Sequence, residues 1–254
     1  MTLPTSISQA LNRADVSWRP ILVRGLEAMA AADPAYLPQL AQDNYLPTEQ
    51  RLFAAFELPL DKVRYVLVGE GPYPRAESAT GVCFMDGAVG SLWSADEGGG
   101  LAKPVNKATS LRNFMKMLLV ADGRLALANT GGAALADIAA QARSGEGVQT
   151  LAEIQQKLTN NGFLLLNASL VFRTNVAPAK DAKAWLPFFE TVMQALAPTR
   201  PTLVLWGKIA EQLNRLPVVQ ALPQIAAEHP YNLSFIGNQD MHALFGPMKL
   251  LHKA

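Results

Sequence analysis

The sequence predicts an α/β fold: a three-layer sandwich with a central, mainly parallel four-stranded sheet and helices on both faces. Three observations predict it. Short, nearly continuous apolar runs have strand length, stretches of helical period lie between them, and half of the 254 residues are apolar while 22 Lys+Arg nearly cancel 21 Asp+Glu. Strands covered on both faces lose the in–out alternation of a half-exposed strand, and strand–helix–strand repeats favour a parallel sheet.

Residues 1–60 read as helices packed on the sheet, with Leu52, Phe53, Phe56 and Leu58 as anchors. The first strand is expected over 64–69 (RYVLVG). Residues 86–107 are Gly-rich and read as a long surface loop, and residues 122–149, rich in Ala and Gly, as a segment with a short extra helix; both look like insertions. Between them Leu111, Phe114, Met115, Leu118 and Leu119 recur at i, i+3, i+4, i+7 and i+8, with Thr109 or Ser110 as cap. Thr150 and Glu153 form a capping box ahead of Leu151, Ile154 and Leu158, and Gly162 stops that helix. A strand is expected over 163–170 (FLLLNASL), a helix on Trp185, Phe188, Phe189, Val192 and Leu196, and a strand over 202–207 (TLVLWG). A helix on Ile209, Leu213 and Leu216 precedes a fourth strand over 224–229 (QIAAEH). The length suits one α/β domain spanning 1–254.

One cysteine cannot form an internal disulfide, a thiolate zinc site or an iron–sulfur cluster, and three histidines leave little for a metal cage. The expectation is a metal-free, cofactor-free monomer in a reducing cytoplasm. The first 20 residues lack the pattern of a signal peptide, and no apolar run approaches a membrane span. A formal charge of +1 leaves a nucleic-acid partner open, because a local basic surface decides that, not the total.

In open α/β sheets ligands sit beyond the carboxyl ends of the strands. That rule selects GEGPYP (69–74), Asn167 and HPYNLS (229–234). Taken singly, each has a plain structural reading. Asn167 suits a core asparagine satisfied by backbone, GEGPYP a tight turn, and His229 a structural histidine. Gly69 and Gly71 begin a G-x-G, but Pro74 follows and no Walker lysine does.

Together they are more specific. VLVGEGPYP, GVCF (81–84), LLLNASLVFR (164–173), LVLWG (203–207) and HPYNLS, in this order, resemble the uracil-DNA glycosylase superfamily, and its main class most. That class shows GQDPYH, G-x-CF, LLLN with a later Arg, L-x-WG and HPSPLS. The resemblance implies a hydrolase that flips uracil, or a related damaged pyrimidine, out of DNA and cuts its N-glycosyl bond in base excision repair. It implies catalytic roles for His229, Glu70 and Asn167. Asn167 would match uracil O4 and N3–H, the reverse of the cytosine pattern; neutral His229 would donate to O2; Glu70 would activate water. Gly71, Tyr73 and Phe84 join Asn167 around the base, with Phe84 stacking and Tyr73 filling the space of a thymine methyl. Leu233 is the implied wedge, Ser234 and Ser110 the implied phosphate contacts, and Lys103, Lys107, Arg112, Arg173, Lys180 and Lys183 the basic footprint, all on single- or double-stranded DNA.

The chain departs from that pattern at identifiable places. Gly71 stands where the main class has its catalytic aspartate, and losing one preorganised group typically costs on the order of 10²- to 10³-fold in rate. Glu70 matches instead a class of the superfamily that carries an iron–sulfur cluster. Pro74 replaces a histidine, and Tyr231-Asn232 replace Ser-Pro. A catalytically weakened uracil- or DNA-binding member is therefore the alternative reading, and a doubly wound protein binding a small nucleotide the third.

Overall fold

A computed structural model describes residues 3–96 and 98–253. The helices are α1 (Thr5–Ala10), α2 (Arg19–Ala32), α3 (Tyr36–Leu40), α4 (Lys103–Lys107), α5 (Thr109–Ala121) and α6 (Gly132–Gln141). They continue as α7 (Leu151–Asn160), α8 (Pro178–Leu196), α9 (Lys208–Leu213), α10 (Pro217–Gln220) and α11 (Gln239–Phe245). Strands β1 (Tyr65–Gly69), β2 (Phe163–Asn167), β3 (Thr202–Trp206) and β4 (Gln224–Ala227) form one sheet in the order β2-β1-β3-β4.

The sheet is parallel throughout. Val66 lies beside Leu164 and Leu203, and Gly69 beside Asn167. Leu203 N donates to Pro223 O at 2.8 Å and Gly207 N to Ala227 O at 2.9 Å, so β3 and β4 advance together. Each strand is shorter than its apolar run. β2 stops at Asn167 because β1 ends at Gly69 in the 69–74 turn; only the amides of Ala168 and Ser169 still reach across, to the carbonyls of Gly69 and Glu70.

The described chain divides into two compact units. The first comprises residues up to 87, 162–205 and 209–224. Its core takes Val66, Val68, Leu164, Leu166, Leu203 and Leu205 from one face of the sheet and packs them with α2 and α8. Leu67, Leu165 and Val204 on the opposite face are buried too, which is why the strands read as continuous apolar runs. The expected anchors Leu52, Phe53 and Phe56 are buried and Leu58 packs against the same core. Trp18 meets Phe56 edge-on at 5.1 Å, and Phe188 lies 6.0 Å from Phe53 and 5.1 Å from Trp185.

The second unit comprises residues 88–161, 206–208 and 225 onward. Trp206 organises it, with Phe114 at 5.8 Å, Phe235 at 5.3 Å, Phe245 at 6.4 Å and its indole N–H donating to Met241 Sδ at 3.2 Å. The expectation of a surface loop over 86–107 is corrected here. Leu92, Trp93, Leu101 and Val105 are buried, Trp93 Nε1 donates to Val148 O at 2.7 Å, and the stretch ends in α4; Glu97 lies outside the described residues. Apolar side chains spaced through a Gly-rich run still have to leave water, and they carry the backbone inward with them. Residues 122–149 contain α6 and a wide turn at 142–146, with Arg143 Nη1 on Ser94 O at 2.6 Å.

The five apolar residues expected on α5 are all buried, but its cap is not Thr109 or Ser110. α4 runs up to Ala108, which takes the cap position without a side-chain bond, so both hydroxyl residues fall in the first turn. At α7 the capping box between Thr150 and Glu153 is complete, and Gly162 (φ 86°) turns the chain into β2. Among the described residues no helix is long and apolar enough to cross a membrane.

Candidate functional site

Asn167 ends β2 beside Gly69, at the carboxyl end of the parallel strands. Its side chain is buried, 4% exposed, and no hydrogen bond among the described residues uses its carboxamide. Its carboxamide therefore keeps a donor and an acceptor for a ligand. Gly69 makes the arrangement fit: a Cβ there would lie 2.6 Å from Cys83 Sγ and 2.7 Å from Asn167 Oδ1. Past the strand, Glu70 and Gly71 are exposed, and Glu70 O accepts from Ser169 N at 3.1 Å.

Residues 80–85 form a braced turn in the same unit. Thr80 Oγ1 donates to Met85 O at 2.9 Å and accepts from Val82 N at 3.1 Å, while Cys83 N donates to Leu165 O at 3.0 Å and ties the turn to β2. Phe84 takes φ 67°, a left-handed conformation that costs a bulky residue on the order of 1–3 kcal/mol and persists only where neighbours enforce it. Its half-buried ring is thereby fixed in aim. Tyr73 is also half-buried, its hydroxyl 3.5 Å from Phe84 O, and burial pushes its pKa well above the usual phenol value, so it stays a neutral shape-filling group. Burial pushes the Cys83 thiol up to about 12, which leaves it a small packing group with no thiolate to react.

In the second unit, the 229–234 segment follows β4. Tyr231 N donates to His229 Nδ1 at 3.1 Å. A neutral imidazole whose Nδ1 accepts carries its proton on Nε2. Gly207, φ 65°, makes room, since a Cβ on it would lie 2.8 Å from His229 Cβ. His229 O accepts from Asn232 N at 2.9 Å, closing a tight turn. Leu233 is 71% exposed, and Ser234 is exposed with its hydroxyl on Glu228. Burial alone would raise the Glu228 carboxyl, but the bonds from Ser234 and Asn238 outweigh it and hold the carboxyl below its ordinary value.

Ser110 sits half-buried in the first turn of α5, where free N–H groups favour anions. Lys103 and Lys107 are exposed, and Arg112 Nη1 donates to Asn106 O at 2.9 Å. In the first unit Lys180 and Lys183 are exposed on α8. Arg173 is a correction to the expected basic footprint. It is buried, donates to both oxygens of Asp181 at 2.6 and 3.2 Å and to Asp43 at 3.1 Å, and lies over the Tyr36 ring. A guanidinium spent on two carboxylates holds the fold and not a phosphate. A surface hollow of about 420 Å³, lined by residues such as Asp43, Tyr45, Glu49 and Phe172, contains none of the expected site residues.

Asn113 on α5 is the residue that sequence reasoning missed. It is fully buried, and its Nδ2 donates to Pro230 O at 2.8 Å, with Tyr231 O at 3.3 Å and Asn232 O at 3.4 Å. The available signal was an amide between buried Leu111 and Phe114, which needs a polar partner. Nothing in the sequence says that the partner lies more than 110 residues away.

The first unit thus holds a donor–acceptor amide at Asn167, an aromatic face at Phe84 and a neutral phenol at Tyr73, and the second, taken by itself, holds the His229 imidazole with the hydroxyls of Ser110 and Ser234 and the amines of Lys103 and Lys107. The signature of the Uracil DNA glycosylase superfamily matches residues 56–245. A curated uracil-DNA glycosylase of Corynebacterium glutamicum is 29% identical over 224 residues, 86% of this chain and 80% of its own length. Another, from Nocardioides, is 28% identical over 220 residues, 85% of this chain and 79% of its own. The crystal structure of wild-type UNG from Nitratifractor salsuginis superposes with a TM-score of 0.87 at 40% identity, covering 96% of this chain and 95% of that one.

Proposed function

Because the chain belongs to the uracil-DNA glycosylase superfamily, we propose that it extrudes uracil from DNA and hydrolyses the N-glycosyl bond, the opening step of base excision repair. The buried, unspent carboxamide of Asn167 carries this reading. Its amide N–H donates to O4 and its carbonyl accepts N3–H; cytosine, with a donor at position 4 and an acceptor at N3, meets two clashes instead. As the N1–C1′ bond breaks, its electron pair stays with uracil, and His229 Nε2–H donates to the developing charge on O2. Water adds to C1′ of the cationic sugar and loses its proton, with Glu70 as the carboxylate that orients it. Phe84 stacks on the base and Tyr73 excludes a 5-methyl group. Leu233 fills the vacated stack, and Ser110 and Ser234 contact phosphates. The working form is a cytoplasmic monomer.

Incubation with uracil-containing single-stranded DNA, followed by alkali, tests the proposal. Breaks at the uracil position are expected, and Asn167→Ala or His229→Ala is expected to slow them by about 100-fold or more. No breaks with enzyme in excess overturn it.

A second reading, a protein that binds uracil in DNA without turnover, is favoured by one observation: no carboxylate stands at position 71. Gly71→Asp separates the two. A Cβ there meets only Ser169 at 3.7 Å or beyond, an ordinary contact. Strong cleavage appearing only in the variant supports the binder; cleavage already present in the native protein excludes it.

A further inference from the structure

The 229–234 turn spends its backbone inward and its apolar side chains outward. Asn113 clamps the carbonyls of Pro230, Tyr231 and Asn232, and Tyr231 N is held by His229 Nδ1. With the backbone pinned and Pro230 buried, Tyr231 and Leu233 project at 67% and 71% exposure. Five large apolar side chains stand exposed among the described residues, and two of them lie here, two positions apart. Leu233 is accounted for as the wedge. Tyr231 is not, and it occupies a position where the superfamily pattern has a serine.

The neighbourhood says what covers the ring. Asn113 ties the turn to α5, which also packs against residues 233–237; α5 carries Ser110 in its first turn, and α4, which packs on α5, carries the exposed amines of Lys103 and Lys107. Lys116, one turn beyond Asn113, has its pKa lowered, first by burial and then by nearby Arg112. An exposed aromatic ring on a turn held by a helix whose neighbour carries exposed amines suits a polyanion whose units have π-faces, and a second copy of this nearly neutral chain offers no such charge complement.

We propose that Tyr231 is a second DNA-stacking residue, which packs on a base flanking the extruded nucleotide while Leu233 fills the gap. The proposal rests on the glycosylase reading of the same site and goes beyond it. Stacking on a phenol ring needs no complementary strand and tolerates any base, so Tyr231 acts most on single-stranded DNA. A wedge that replaces a lost base pair acts most on duplex.

The test combines uracil release with fluorescence anisotropy on single-stranded oligonucleotides, with and without uracil, for the native protein, Tyr231→Ala, Tyr231→Phe, Leu233→Ala and Val16→Ala. Val16 is equally exposed and is not among the residues assigned to DNA contact, so Val16→Ala is the control. Tyr231→Ala is expected to raise KM and Kd for single strands roughly 10- to 100-fold, on both oligonucleotides, with Tyr231→Phe restoring native values. Leu233→Ala is expected to act more strongly on duplex. With 2-aminopurine beside uracil, the alanine variant is expected to leave the probe brighter than the native complex. Tyr231→Ala within twofold of native on single strands overturns the proposal, as does a Phe variant no better than Ala. If the native protein releases no uracil, the glycosylase reading fails, and the anisotropy comparison still decides for or against Tyr231.

Discussion

Gly69 and Gly207 each carry a hydrogen where any other residue would place a methyl group against a working side chain. At Gly69 the obstructed groups are Cys83 Sγ and Asn167 Oδ1, and at Gly207 the Cβ of His229. Gly69→Ala is therefore expected to displace the Asn167 amide and lower uracil release by about 10- to 100-fold, the range in which a misplacement of about 1 Å acts. The check is steady-state kinetics beside a melting curve, and a variant with native kinetics contradicts the role. At this scale the sequence located Asn167 at the end of β2 and the 229–234 segment after β4, because strand ends are marked by where the apolar runs stop. It was silent about Gly69, whose contact with Cys83 is made by a turn folding back onto β2, and about Asn113, whose partners come from the far end of the chain.

Helix packing and helix ends set the next scale. On α2, a Cβ at Gly25 would come within 2.7 Å of the Phe188 ring on α8, so the two helices approach where one lacks a side chain. Gly25→Val overpacks that contact and is expected to destabilise the fold by about 1–3 kcal/mol, measured by urea unfolding. At the end of α5, Asp122 bonds Lys249 Nζ and His252 Nε2, tying down the last residues of the second unit. Burial alone would raise its carboxyl, but the hydrogen bonds from Lys249 and His252 outweigh burial and the carboxyl lies below its ordinary value. A lowered native pKa means the bond contributes stability above the unfolded carboxylate pKa of about 3.9 and loses it as pH falls through the native value. Asp122→Asn is expected to cost about 1 kcal/mol near pH 7, since the partners are half-exposed, and the gap to the native protein is expected to close below about pH 4. Apolar stripes made these helices readable in advance. The cap of α5 was not, because a local rule that prefers Thr109 or Ser110 yields to the preceding helix, whereas the Thr150–Glu153 box closes on itself and needs no context.

For the molecule as a whole, a net charge of +1 leaves DNA affinity to local amines, so binding is expected to weaken steeply with salt. Lys103→Ala or Lys107→Ala is expected to reduce the slope of log K against log salt on single strands by about 0.7 each, checked by anisotropy titrations. Arg173→Lys is expected to leave that slope unchanged while lowering stability, because its guanidinium is committed to Asp181 and Asp43. The four parallel strands and the segments at their carboxyl ends were legible because buried parallel strands read as apolar runs, whereas the order β2-β1-β3-β4 had to come from the structure. Arg173 misled because charge in a sequence does not reveal whether a carboxylate waits for it. The most direct measurement of the central claim is single-turnover base release from matched single strands carrying uracil or cytosine. Uracil released, cytosine untouched, and release lost in Asn167→Ala is the predicted result. Equal attack on both bases, or an Asn167→Ala rate equal to native, contradicts it.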